Sequence, residues 1–346
     1  MTIPIQNIYY LLCYSWNEIE IGHAVAANAD NYSNIESLLS KALIESGNVL
    51  FKRGLMHDYV EEGHEIAGIK GRIDFNSSIR RQLLNQGRTQ CRYDEFTTNI
   101  LTNQIIKYTV QRLLSLDSVD KSLLSDLRTL QKKLQPIKDI QIQASHFHKV
   151  NIHRNNSFYR FIINICELLY HSTAVHERGQ SFKFQSFLNN REKMSRLFES
   201  FIRNFYRREQ RKYNSLAEII NWNFSPDSEG NMQFFPRMKT DITLTSSDEK
   251  RILEVKYYPE ALVQNQFGME RFRSAHLYQL YAYLSNLALE PSHPGNKNCM
   301  GILIYPTVST HVDEVYKLAQ HTIRIYTLNL NQPWQNIHRD LIQLVE

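Results

Sequence analysis

The stretch Phe235–Tyr258, FPRMKTDITLTSSDEKRILEVKYY, reads as two β-strands joined by a short polar turn. Met238, Thr240, Ile242 and Leu244 are interleaved with other residues in the first arm, and Ile252, Leu253 and Val255 thicken the second. Between them Thr245 to Lys250 is a Ser/Asp cluster of the kind that closes hairpins. Asp241 falls in the middle of the first arm. Glu254 and Lys256 are two residues apart in the second, so they share a face of the sheet, about 7 Å apart along the strand. An acid from one strand, with an acid and a lysine from its neighbour, can then converge on one point. Such a set suits Mg²⁺, which takes one or two carboxylates plus waters and substrate phosphate. The nearby ammonium would activate water or steady charge on phosphorus. The competing reading is charge alternation on a surface strand. Acid-x-Lys triplets arise by chance, and Asp248-Glu249-Lys250 in the turn is another.

Outward from the hairpin, Met269 to Leu289 has a helical apolar stripe at Leu277, Leu280, Leu284 and Leu287. Gln279 and Tyr283 stand at i, i+4 on another face, with His276 one turn before. Upstream, Met194 to Lys212 carries Leu197, Phe198, Phe201, Ile202 and Phe205 on one stripe, with Glu199 to its side. The order is helix, strand with Asp, strand with Glu-x-Lys, helix with Gln-x-x-x-Tyr, strand. From about Arg191 to Val308 it resembles the PD-(D/E)xK nuclease superfamily, in the branch with a helical Gln-x-x-x-Tyr motif. Thr240 stands where the motif usually has proline, which carries no chemistry. The resemblance implies that Asp241 and Glu254 bind Mg²⁺, with the carbonyl of Val255 as a third ligand. It implies that Lys256 activates water or stabilises the transition state, while Gln279 and Tyr283 position phosphate or Lys256. Glu199 and His276 are accessory candidates. Arg271 and Arg273 are candidate phosphate contacts, with a plain surface role as the alternative.

At 346 residues the chain is long for one domain, and two are expected, 1–154 and 155–346. With 42% hydrophobic and 22% charged residues, it has the composition of a folded chain with a substantial core. The formal charge of +5 is modest for a nucleic-acid binder, so its distribution matters more. Residues 191–212 hold eight basic and three acidic residues, beside the proposed site. Four scattered cysteines without a C-x-x-C pair argue for a reducing compartment and against structural zinc. The apolar start, MTIPIQNIYYLLCYSW, lacks basic flanks and is too short to span a bilayer. A cytoplasmic protein with no membrane partner is expected.

The amino-terminal half reads as helices at 5–16 and 35–55, extended segments between Asp58 and Phe96, and helices from Thr97 to Leu134. In GIKGRIDF, residues 68–75, two glycines flank Ile69 and an exposed Lys70, with Arg72 next. They mark a bulge or hairpin, or a close approach to a partner. His146, His148 and His153 have spacing that fits no zinc site, and loop or strand-surface positions are expected.

Asn7 to Leu12 (NIYYLL), GIKGRIDF, and Asp94-Glu95 followed by Asn99, Leu101, Asn103, Ile106 and Lys107 resemble McrC proteins. So do PRMKTDI at 236–242, Lys256-Tyr257-Tyr258 and LIYP at 303–306. The resemblance covers essentially the whole chain. It implies a nuclease subunit of a methylcytosine-dependent restriction system, bound to a McrB-like AAA+ GTPase hexamer and cutting double-stranded DNA that carries modified cytosine. GTP enters only through that partner, consistent with the lack of a G-x-x-x-x-G-K-[S/T] loop here. The amino-terminal half would be the stalk that enters the ring, with Lys70 and Arg72 as partner contacts. Two other readings stay open, a non-catalytic activator of the ring and a stand-alone repair-type nuclease. The fold class expected is mixed α/β. A restriction-endonuclease-like domain with a mixed sheet flanked by helices follows an α+β amino-terminal domain.

Overall fold

In the computed structural model, the first helix, α1 (Ile5–Ser15), is held by hydrogen bonds to residues far along the chain. Asn7 Nδ2 donates to the carbonyls of Leu330 and Gln332, both at 2.8 Å. At the other end, Asn204 Nδ2 donates to the carbonyls of Tyr14 and Ser15, two of the last carbonyls of the helix. Residues 3–20, 22, 32, 34–153, 156, 158–175, 182–184, 187–258, 261–264, 269–309 and 311–346 are described. The chain divides into two compact units, residues 1–31 with 186–346, and residues 32–185. The boundary expected between 154 and 155 lies outside the described residues. The division itself differs from the expected one, because α1 joins the carboxy-terminal half.

The unit of residues 32–185 is α+β, as expected. Helix α2 (Ile35–Arg53) starts at Asn34, whose side chain accepts from Ser37 N, and stops at Gly54, where φ is +90°. Strands β1 (Asp58–Ala67), β2 (Arg72–Ile73) and β3 (Arg88–Thr97) form an antiparallel sheet in the order β1-β3-β2. Gly71 has φ +69°, and a Cβ there would lie 2.5 Å from the Arg92 carbonyl oxygen, so only glycine fits this turn. Helices α3 (Leu101–Leu114), α4 (Leu124–Lys133) and α5 (Phe158–Ser172) belong to the same unit. Tyr159 knots it together: its hydroxyl accepts from Met56 N at 2.6 Å and donates to Asn103 Oδ1 at 2.9 Å. Helix α5 therefore belongs here, not with the carboxy-terminal half. His146 and His148 lie on a short helix, Ala144–Lys149, rather than on the loop or strand expected.

The other unit is built on a mixed six-stranded sheet behind α6 (Arg191–Glu209). Its strands are β4 (Asn214–Leu216), β7 (Ile242–Thr245), β8 (Lys250–Val255), β11 (Met300–Thr307), β12 (Asp313–Leu318) and β13 (His321–Asn329). The order is β12-β13-β11-β8-β7-β4, with β8, β11 and β13 parallel and the remainder antiparallel. Two ribbons flank it: β5 (Ile219–Ile220) with β6 (Met238–Lys239), and β9 (Leu262–Gln264) with β10 (Glu270–Phe272). Helix α7 (Ser274–Leu287) buries Leu280, Tyr283, Leu284 and Leu287 against Ile252, Leu303, Tyr305, Ile323 and Ile325. The alternate strand positions face the other way, toward α6 and the last helix, α8 (Trp334–Val345), where Tyr206 Oη donates to the Leu341 carbonyl. Helices thus cover both faces of a mixed sheet, which is the fold class expected.

Two details depart from the sequence reading. Residues 270–272 pair with 262–264, so the helix expected from Met269 begins at Ser274. The first arm of the hairpin is also not one strand. Met238–Lys239 pairs with β5, whereas Ile242–Thr245 pairs with β8 and β4. Asp241 sits at the bend where the arm changes partners, not in mid-strand.

Candidate metal-dependent active site

The bend matters because it frees the Asp241 amide from the ladder. Its N–H points instead at Glu254 Oε1, 3.3 Å away, while Asp241 Oδ2 accepts from Val255 N at 2.8 Å. The two carboxylates are thereby tied to each other's strands. Lys256 follows β8, and its own N–H extends the ladder to the Ile304 carbonyl. Its Nζ donates to Glu254 Oε2 at 2.9 Å and to Gln279 Oε1 at 3.0 Å. Gln279 Nε2 donates to Tyr283 Oη at 2.9 Å, and that hydroxyl donates to the Lys239 carbonyl at 3.1 Å. The chain of bonds runs from the Asp241 strand through Glu254, Lys256, Gln279 and Tyr283 and back to the same strand. It brings together all five residues expected at the centre. Gln279 has its carbonyl toward the ammonium and its amide toward the phenol, and a flipped amide would lose the bond from the ammonium, which can only donate.

Glu254 is 0% exposed. Burial, and then the adjacent Asp241 carboxylate, push its pKa up to about 7, against the pull of Lys256. For Lys256, burial works against the charge, but Glu254 and Asp241 outweigh it and hold the pKa above the ordinary lysine value. Lys256 is therefore a charged donor at neutral pH. The donors fit Mg²⁺: hard carboxylate oxygens from two residues, crowded enough that a divalent cation would relieve their repulsion. Among the described residues no cluster of three or more His, Cys, Asp or Glu gathers as it would around a structural zinc.

The outer candidates are placed less uniformly. Glu199 is tied to the site through a second residue. It forms an ion pair with Arg203, one turn on, and Arg203 Nε donates to the Asp241 carbonyl at 3.1 Å. Arg203 was missed in the sequence, although its i, i+4 relation to Glu199 could have signalled it. His276 is buried, with Nδ1 2.8 Å from Tyr305 Oη and its ring 4.9 Å from that of Tyr258. Burial, then Lys256, Arg273 and Arg191, lower its pKa to about 4, so it is neutral at pH 7. Arg271 is exposed on β10, apart from this network. Arg273 lies at the start of α7 with its guanidinium over the Tyr258 ring, 4.3 Å from the centroid.

In the 32–185 unit, Lys70 and Arg72 are both exposed. The Lys70 ammonium sits over the Tyr93 ring at 3.7 Å. Ile69 (71% exposed), Phe75 (59%) and Ile79 (62%) stand out beside them. No helix among the described residues is long and apolar enough to cross a membrane.

The sequence matches the family described as McrBC 5-methylcytosine restriction system component over residues 6–306. It is 33% identical over 344 residues to the type IV methyl-directed restriction enzyme EcoKMcrBC of Escherichia coli (strain K12), covering 99% of this chain and 97% of that protein. In three dimensions it resembles a chain of the half-complex from a tetradecameric assembly of Thermococcus gammatolerans McrB AAA+ hexamers with bound McrC. There the TM-score is 0.57 at 16% identity, over 99% of this chain and 76% of that one. A chain of the Thermococcus gammatolerans McrBC complex matches over 61% of this chain and 60% of that one, with a TM-score of 0.42 and 20% identity.

Proposed function

The chain belongs to the McrBC 5-methylcytosine restriction family, and on that premise we propose that it is the DNA-cutting subunit of such a system. It hydrolyses phosphodiesters of double-stranded DNA carrying modified cytosine, in the cytoplasm. A McrB-like AAA+ GTPase hexamer is its partner, whose GTP hydrolysis it stimulates. The observation that carries the reading is the closed network of Asp241, Glu254, Lys256, Gln279 and Tyr283, with two carboxylates crowded against one charged lysine.

Asp241 and Glu254, with the Val255 carbonyl, would hold Mg²⁺, which when bound polarises the phosphoryl group and makes water a better nucleophile. Lys256 stays protonated, so it donates to a phosphate oxygen as negative charge builds there. Gln279 and Tyr283 fix the direction of that donor. Glu199 acts through Arg203 on the Asp241 backbone, as a positioning residue. Buried, neutral His276 supports the packing of Tyr258 and Tyr305. Arg273 meets the DNA backbone, while Arg271 is an outlying contact.

Lys70 and Arg72, with the exposed apolar residues around them, form the surface that meets the ring. Exposed large apolar side chains beside charges mark interaction surfaces. The test is a Mg²⁺- and GTP-dependent cleavage assay on methylated DNA with the GTPase partner present. Asp241→Ala is expected to abolish cutting while GTPase stimulation stays near the parent level. A variant that cuts at the parent rate would remove Asp241 from the chemistry.

A further inference from the structure

Immediately after Lys256 the chain folds back on itself. Tyr258 N donates to the Lys256 carbonyl at 3.2 Å, a three-residue turn that keeps the Tyr258 ring beside the site. Two arginines from different elements lie over that ring. The Arg191 guanidinium, from the first residue of α6, is 3.7 Å from its centroid, and that of Arg273 is 4.3 Å away. Neither is within ion-pair distance of a carboxylate among the described residues, in contrast to Lys256, whose charge Glu254 offsets. Arg273 Nε is buried with no hydrogen-bond acceptor among the described residues. The tyrosine ring therefore holds both cations in place where an acceptor ordinarily would.

Two guanidinium groups brought together without a counter-charge repel each other, and ring attraction offsets this only partly. They suit a ligand that carries negative charge and offers several acceptor oxygens to planar donors. A phosphodiester is such a ligand, and arginine is the side chain whose geometry matches it. The position next to Lys256 makes a polynucleotide strand the ligand rather than a free anion, since a strand in the cleavage site carries phosphates on both sides of the bond that breaks.

We propose that Arg191, Tyr258 and Arg273 form a seat for a DNA backbone phosphate flanking the scissile one, an inference that rests on the nuclease reading for the identity of its ligand. Tyr258 is the positioning residue, and the arginines make the contact. Neither Arg191 nor Tyr258 follows from the spacing of the acidic motif. The seat joins the start of α6 to the turn after β8, which only the fold brings together.

The test is equilibrium binding of a short fluorescein-labelled DNA duplex to the full-length chain in EDTA, where nothing is cut, across a salt series. Each phosphate contact contributes about 0.9 to the slope of log affinity against log salt. Arg191→Gln and Arg273→Gln should each flatten the slope by about that amount, which is a loss of about eightfold at ~0.1 M salt that vanishes near ~1 M. Tyr258→Leu should flatten it more than either single arginine change, and Tyr258→Phe, which keeps the ring, should restore it. Arg191 is exposed, so its substitution leaves folding intact, as a thermal melt will verify. Unchanged slopes in both arginine variants, or no DNA binding by the parent chain, would overturn the seat. Mg²⁺-dependent cutting by the complex is scored separately. Cutting with unchanged slopes sinks the seat alone, and flattened slopes without cutting sink the nuclease reading alone.

Discussion

Replacing Glu254 by Gln is expected to stabilise this protein when metal is absent. The carboxylate is fully buried and faces Asp241, and its pKa rises from the ordinary 4.5 to about 7. Below 4.5 the group is protonated in both folded and unfolded chains and contributes nothing. Between 4.5 and about 7 the folded chain retains a proton that the unfolded chain releases, so stability falls as pH rises. Above about 7 the destabilisation is complete. At 1.36 kcal/mol per pH unit, that interval corresponds to about 3 kcal/mol. Gln resembles the protonated acid and keeps an acceptor for Lys256 Nζ, so it should recover most of this. The assay is urea unfolding of parent and variant in EDTA near pH 8 and near pH 4. The gain should be about 3 kcal/mol at the higher pH and close to zero at the lower. Added Mg²⁺ should raise the melting temperature of the parent near pH 8 and leave that of the variant nearly unmoved, because the cation offsets repulsion the variant no longer has. A variant no more stable than the parent near pH 8, or a gain that persists near pH 4, would refute the reasoning.

Lys256→Arg keeps the charge but replaces a compact donor with a planar fork, and Lys256→Met removes the donor. Single-turnover cleavage should fall about 10²–10³-fold in the first and at least as far in the second, with both melting cooperatively; parent-like cutting by the Arg variant would reject a positioned donor. Reversing Lys70 and Arg72 to Glu together should weaken stimulation of the partner's GTPase while changing stability by no more than about 0.5 kcal/mol, since both side chains are exposed. Full stimulation by that double variant would move the ring contact elsewhere. Gly71→Ala forces a left-handed backbone and a Cβ against the Arg92 carbonyl, so denaturant unfolding should register a loss of about 1–3 kcal/mol or more; an unchanged midpoint would show that the turn relaxes.

What could be read from the sequence was whatever local periodicity controls. Gln279 and Tyr283 meet because i, i+4 residues share a helix face, and Glu254 and Lys256 because i, i+2 residues share a strand face. Spacing could not reveal events decided by distant partners. Asp241 leaves the ladder because residues 238–239 and 242–245 pair with different strands. Helix α1 belongs with the sheet unit because Asn7 and Asn204 reach across nearly 200 residues or more. Residues 270–272 turned out to be strand because 262–264 compete for their backbone, and the helical stripe contains no record of that competition.

The sharpest limit on spacing lies within the hairpin itself, which contains the acid-x-Lys pattern twice. Glu249 sits at the turn end, where a hydrogen bond from Lys212, then one from Tyr213, draws its pKa down to about 2. One residue on, Lys250 is committed to an ion pair with Glu218 at 2.9 Å. These charges are satisfied within the protein, and nothing there would gain by binding a cation. Glu254, four residues beyond Lys250, is buried against a second acid, and its pKa moves the opposite way. The two stretches differ in their neighbours: Glu249 and Lys250 are paired with charges from other elements, whereas Glu254 also meets a second acid. Strand β8 is buried along most of its length, with the ion pair to Glu218 at its start and the candidate pair Glu254 and Lys256 at its end. The structure thus distinguishes the candidate site from its decoy by a buried carboxylate crowded against a second one, a property no count of acids and lysines contains.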